Sequence, residues 1–274
     1  MEQTDFYLNL PSNTFTSQQF KRQNTTSHFR VRLPHDIRLT GKWEVALVEL
    51  QYPYSWNNVS DDLGSNDLQN NQLMFVNQAQ KHAFTVNIWP AYYESVDQLI
   101  RAIAEEKDQE VKNNAYLIEK GVSAAERQSI LEMFNFDVDY IRKRVCFDSD
   151  GYTAFLSDKL QYMLGYKHNI VPPGKYAEYA PDMRAGIDAL YVYCDLCEPQ
   201  IVGDTQEPLL RIVPVHGKHG EIISRVFVGP HYTNVLRKEF STVEITIKTD
   251  ADRPIPFEYG KCIVKLHLRK KRSI

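Results

Sequence analysis

A chain of 274 residues is long enough for one large all-β domain or two ordinary ones, and 43% apolar residues with 16 Tyr and 13 Phe favour a folded, strand-rich protein over a disordered one. A formal net charge of −3 argues against a protein whose main task is to coat nucleic acid, and no run of eighteen apolar residues offers a membrane span. The polar start Met1–Asp5 does not read as a signal peptide, and four scattered cysteines are too few for a disulfide framework, so a soluble protein made in the cytosol is expected.

In chain order, Phe6 to Leu10 is a short apolar piece followed by a polar, turn-forming stretch, and residues 1–26 together read as an extended arm. His28 to Leu33 then alternates strictly, with Phe29, Val31 and Leu33 on one face; Pro34 bends the strand and Ile37 to Leu39 resumes it. The central strand opens at Gly41, closes at Pro53 and has a Trp near each end, Trp43 and Trp56. Its even positions (Ala46, Val48, Leu50, Tyr52) are apolar throughout, whereas its odd positions are apolar only at Trp43, Val45 and Leu47 before turning polar at Glu49 and Gln51. This pattern predicts one face that is core along its whole length and a second face covered by another layer over its first half.

A polar loop, Asn57 to Asn71, precedes two short strands, Leu73 to Val76 and Ala83 to Ile88. After Trp89-Pro90 the periodicity changes from two to nearly four. Ser95 with Gln98, and Ser123 with Glu126, are spaced as capping boxes ahead of apolar stripes, and a third helix around Leu160 to Leu164 is stopped by Gly165. A hairpin through Phe136–Val138 and Arg144–Phe147 lies between them. From residue 188 the chain reads as strands again: Leu190–Leu196, Leu209–Val215, Ile222–Val228, Val243–Ile247 and Cys262–Leu268, joined by Pro- and Gly-bearing connections.

Strands at both ends of a chain with helices between them do not alternate as a parallel α/β sheet requires. The expected fold class is all-β: an antiparallel two-sheet sandwich, a single jelly roll, with a helical (α+β) insertion. The arm would occupy 1–26, the jelly roll 27–268 with its strands in 27–91 and 188–268, the insert about 92–187, and a basic tail 269–274.

Catalysis has left little trace. There is no Gly-x-Ser-x-Gly elbow, Walker loop, dinucleotide fingerprint or His-Glu-x-x-His, and Glu44 and Glu49 are expected on opposite faces of one strand. Cys194 and Cys197 form a C-x-x-C, but in a strand residues three apart face opposite ways, and no second pair completes a zinc site. His216 and His219 read as loop histidines and Asp148–Gly151 as a plain turn. No enzyme activity, catalytic residue, cofactor or metal is expected.

Phe6–Asn13, Phe29–Pro34 and Leu39–Trp56, then Tyr191–Leu196, Pro208–Val215 and Val264–Lys270, resemble the penton (minor capsid) proteins of Polinton or Maverick elements and the related adintoviruses. The middle, with Leu164-Gly165-Tyr166, is similar more loosely. The most specific piece is the Gly-x-Trp-Glu-Val stretch running on to Tyr-Pro-x-Ser-Trp, in which Gly41, Trp43, Val45, Leu47, Leu50, Pro53 and Trp56 stand as structural core. The resemblance implies a jelly roll that assembles into homopentamers at the fivefold vertices of an icosahedral capsid, beside a hexon-like double jelly-roll major capsid protein. It implies a virion location after synthesis in the host cytosol, with a nuclear stage during assembly as one route. A β-sandwich module that binds a glycan or host receptor through Tyr176–Pro181 and Asp61–Asn71 is the alternative from another class.

Overall fold

The structure, a computed structural model, describes residues 4–13, 23–62, 68–184 and 186–271. The chain begins with strands β1 (Asp5–Pro11), β2 (His28–Arg38) and β3 (Trp43–Pro53). Then come β4 (Gln72–Asn77), β5 (His82–Asn87), helices α1 (Val96–Asn113), α2 (Ala115–Glu119) and α3 (Ala124–Glu132), β6 (Phe134–Asp139), β7 (Arg144–Ser149), β8 (Thr153–Leu156), α4 (Asp158–Leu164), β9 (Ile170–Val171) and β10 (Lys175–Tyr176). The last part holds β11 (Ala189–Cys194), β12 (Gln200–Val202), β13 (Thr205–Glu207), β14 (Leu209–Pro214), β15 (Ile222–Val226), β16 (Thr233–Asn234), β17 (Glu239–Lys248) and β18 (Ile263–Lys270). Two compact units result: Met1–Trp56 with Ile187–Ile274, and Asn57–Gly186.

The first unit contains two large antiparallel sheets, ordered β1-β18-β3-β15, with β16 also on β3, and β14-β11-β17-β2, and a small hairpin of β12 and β13. Among its long strands β1, β2, β3, β11, β14, β15, β17 and β18, the first pairs with the last, the second with the seventh, the third with the sixth and the fourth with the fifth. Wrapping that ribbon so that β18 also meets β3, and β17 also meets β11, gives a jelly roll. Strands from both chain ends thus lie side by side, as the strand-helix-strand order of the sequence requires.

The parity change in β3 has a different cause from the one its pattern suggests. Lys265 pairs with Glu49 but Leu266 pairs with Leu47, so Val48 is an extra residue, a β-bulge that switches which side chains face inward. Before it Trp43, Val45 and Leu47 are buried, and after it Leu50 and Tyr52 are, opposite Val264, Leu266 and Leu268 of β18. One continuous core face results, and on the opposite face Ala46 is also fully buried. The same switch places Glu44 and Glu49 on one face, paired with Arg269 and Lys265, not on opposite faces.

The arm differs from expectation, while the bend expected at Pro34 is present. Phe6 to Leu10 is no loose arm: β1 pairs with β18 along its whole length and buries Leu10 in the core. Residues 14–22 of the expected arm lie outside the described residues. In β2, Arg32 faces Thr242 while Ile37 faces Phe240, so Leu33–Asp36 bows out around Pro34, which has no N–H to give to the ladder.

The second unit is α+β and starts at residue 57 rather than near 92. β4 and β5, expected in the sandwich, belong to a separate sheet ordered β5-β4-β8-β9, and a smaller sheet is ordered β10-β7-β6. Leu73, Phe75, Phe84 and Val86 of that hairpin join Leu99, Ile103, Phe134, Phe147, Tyr152 and Leu164 in one core cluster, which is why the hairpin folds here. Period-2 alternation had marked the strands without naming their partners. Ser123 and Glu126 make the expected capping box. Ser95 caps α1, but Gln98 reaches back to the Glu94 N–H rather than to that of Ser95. Gly165 ends α4 at φ +82, where an added Cβ would sit 2.4 Å from the Tyr179 carbonyl oxygen. Lys107 of α1 is buried and donates to the carbonyls of Leu131 and Phe134 (3.0 and 2.9 Å) and to Asn135 Oδ1 (2.6 Å), satisfying oxygens at the end of α3.

Candidate assembly surface

The residues of the Gly41–Trp56 motif are placed as scaffold. Gly41 turns the chain into β3 at φ +88, and Trp43, Val45, Leu47 and Leu50 fill the sandwich. Pro53 packs beneath Gly260, where a Cβ would lie 2.8 Å from its ring, and Trp56 is buried against Tyr54 with ring centroids 4.3 Å apart. These residues set the geometry of the sheets but present no chemistry to solvent.

What the sheets present outward is most distinctive along β15. The Glu221 carbonyl accepts from Tyr54 N–H at 2.9 Å and Phe227 N–H donates to the Val48 carbonyl at 2.9 Å. In an antiparallel ladder the residues bonded to β3 are therefore the odd ones, and Ile222, Ser224 and Val226 turn their backbone groups to the far side. Among the described residues no strand pairs there. The side chains at this edge are apolar and uncovered: Ile222 is 78% exposed, Val226 70% and Val228 just beyond 99%. An edge of this kind, with Arg225 as the only charge inside β15, is a template for association. β14 ends the other sheet of the sandwich and exposes Ile212. Its Arg211 stacks on Phe227 at 3.9 Å and donates to the Gly229 carbonyl at 3.1 Å, tying β14 to the segment that follows β15. The sequence contained this signal: Ile222–Val228 is apolar at both parities, which one buried face does not require.

Around β1 and β18 the outer face is polar and paired. His267 stacks on Tyr7 (4.5 Å, 16°), shares a hydrogen bond with Tyr232 Oη at 2.8 Å and lies 3.4 Å from Asp5. Arg269 sits 3.5 Å from the Tyr232 ring centroid and pairs with Glu44. On the outer face of the other sheet Glu244 receives Arg30 and His28, both at 2.6 Å. Burial works to raise the Glu244 pKa, but the hydrogen bonds from Arg30 and His28 outweigh it and hold the carboxyl below its ordinary range. Arg269 and Lys270 of the expected basic tail are the last residues of β18, and Arg272 lies outside the described residues.

Other sequence candidates are placed without forming a reactive centre. Among the described residues no three His, Cys, Asp or Glu side chains converge to hold a metal ion. Cys194 and Cys197 are not on opposite faces, because β11 ends at Cys194 and a turn carries Cys197 back. In the Tyr176–Pro181 loop Tyr176 and Tyr179 expose their rings, with Arg142 5.3 Å from that of Tyr176, while the Tyr179 N–H is anchored on the Gly165 carbonyl at 2.9 Å. Of the Asp61–Asn71 loop, residues 63–67 lie outside the described residues.

No family model matches the chain and no curated protein matches it. Among solved structures it is similar to the crystal structure of the selenomethionine-labelled mavirus penton protein, with a TM-score of 0.53 and 10% identity over 98% of this chain and 100% of that one. The likeness shows the fold, a penton-like jelly roll, and at this identity it shows the fold alone.

Proposed function

We propose that this chain is a structural capsid protein of the penton type, of the Polinton, Maverick and adintovirus kind, located in the virion and assembled as a homopentamer at the fivefold vertices. The observation that carries the reading is the pairing of a penton-like fold along the whole chain with an open, apolar edge at β15. A ring needs a heterologous contact, one patch against a different patch, whose rotation closes. The β14/β15 flank supplies one such patch, and obligate contacts of this kind usually bury more than roughly 2,000 Å² in total. A double jelly-roll, hexon-like major capsid protein is the neighbour such a pentamer would dock, and a host receptor is a further partner that a vertex would offer.

Native mass spectrometry of the full chain at micromolar concentration tests this. A closed particle of five 31.8 kDa chains is expected. A stable monomer, or an open-ended series of oligomers, would overturn the pentamer.

A further inference from the structure

The motif that a capsid role leaves unused is Cys194-Asp195-Leu196-Cys197. The Cys197 N–H donates to the Cys194 carbonyl at 3.0 Å, closing a four-residue turn at the end of β11. Such a turn keeps its end Cα atoms within about 7 Å, a span that overlaps the roughly 4.4–6.8 Å a disulfide bridges. Both side chains are buried, 1% and 0% exposed, and the two thiols hydrogen-bond each other. The turn is held from several sides. Cys194 N–H donates to the Pro208 carbonyl (3.0 Å), Asp195 N–H to that of Glu244 (3.2 Å) and Leu236 N–H to that of Leu196 (2.9 Å). The Asp195 carboxylate accepts the Glu244 N–H at 3.0 Å and pairs with Arg237. The two sulfurs therefore meet in a fixed frame, and among the described residues no third ligand makes them a metal site.

We infer that Cys194 and Cys197 form a redox site that closes to an intramolecular disulfide by exchange with a small-molecule disulfide of the glutathione type. One cysteine, as thiolate, attacks a sulfur of glutathione disulfide, expelling one glutathione and forming a mixed disulfide. The second cysteine gives up its proton and displaces the other glutathione. Two protein thiols are oxidised to one disulfide, and one glutathione disulfide is reduced to two glutathiones. The hydrogen bond between the thiols, together with burial, pushes Cys194 well above its ordinary value, so the thiolate is scarce and exchange waits on local opening of the turn. The pair stays reduced in a reducing cell and closes during long residence in an oxidising compartment. This inference goes beyond the capsid reading and does not depend on it.

The test uses the full-length protein, held folded in glutathione disulfide until composition is constant, then unfolded in N-ethylmaleimide, digested and weighed. The expected result is a peptide lighter by about 2 Da, the mass of two hydrogens, with neither Cys194 nor Cys197 labelled. A higher melting temperature is expected for oxidised wild type, and no such rise for Cys194→Ser or Cys197→Ser. Full labelling of both cysteines, or a separate glutathione on each without the 2 Da loss, would overturn the inference. The wild-type masses decide the matter even if a serine variant fails to fold.

Discussion

Burial pushes the Lys107 ammonium down to about 8, while Leu131, Phe134 and Asn135 supply the three oxygens that hold its protons. Unfolded lysine keeps its ordinary value near 10.5, so between pH 8 and 10.5 the unfolded chain binds more protons and stability rises with pH. Tyr152, pushed up by burial to about 12, acts in the opposite sense from pH 10, because unfolded tyrosine loses its proton first. Cys194, held up by Cys197 and burial, and Cys262, held up by burial, act in that same falling sense from about pH 9, so the urea midpoint of the full chain should climb from pH 8, peak near pH 9 and fall beyond it. Lys107→Met should flatten the rising limb, and an unchanged limb would show that another group is responsible. A second residue-scale prediction concerns Gly165. Alanine there combines a left-handed backbone with a 2.4 Å approach to a carbonyl oxygen, and should cost about 3 kcal/mol or more in denaturant unfolding. Alanine at Gly203, at φ +62 with open space around it, should cost only about 1 kcal/mol.

Individual strands and helices were largely legible in the sequence because their signals are local. Ser123 and Glu126 mark a helix start by chemistry within four residues, and Val264, Leu266 and Leu268 mark an inward face by simple alternation. The bulge at Val48 was visible only as a parity change, since an extra residue is defined by its partner strand and β18 lies more than two hundred residues away. The C-x-x-C was misjudged for the reverse reason: where β11 stops is set by the turn bond that closes on Cys194, and the apolar run through Leu196 hides it. The exposed side of β15 showed only as apolar residues at both parities, which do not by themselves say which face is covered. The edge itself makes a prediction. Changing Ile222 and Val226 to Lys should shift the proposed pentamer to monomers in sedimentation velocity while moving chemical stability by less than about 0.5 kcal/mol each, since surface sites away from packing contribute little. Retained assembly would place the contact elsewhere.

For the molecule as a whole, the two units differ in how they must fold. In the jelly roll, first pairs with last and second with seventh, so most of its contacts close long loops and its folding is expected to be slow. The second unit has its own aromatic core, with Phe75, Phe84 and Tyr152 each in ring contact with Phe134, and its contacts lie within one continuous stretch of chain. Residues 57–186 expressed alone should unfold cooperatively with dispersed amide resonances. A molten, non-cooperative product would show that this core depends on the remainder of the chain. The boundary at 57 could not be read from composition, because strands resemble one another whichever sheet they join.

The ladder between β1 and β18 brings Asp5 opposite Arg269, and the Lys270 N–H closes it on the Thr4 carbonyl at 2.8 Å. Residues 4 and 271 therefore leave the sheet at one corner. A brief peptide bridge could join them, and a new opening at the Gly203 hairpin tip would give a circular permutant with every strand in its present place. In a ring of such subunits, the chain leading into residue 4 and the chain leaving residue 271 would meet each copy at the same point.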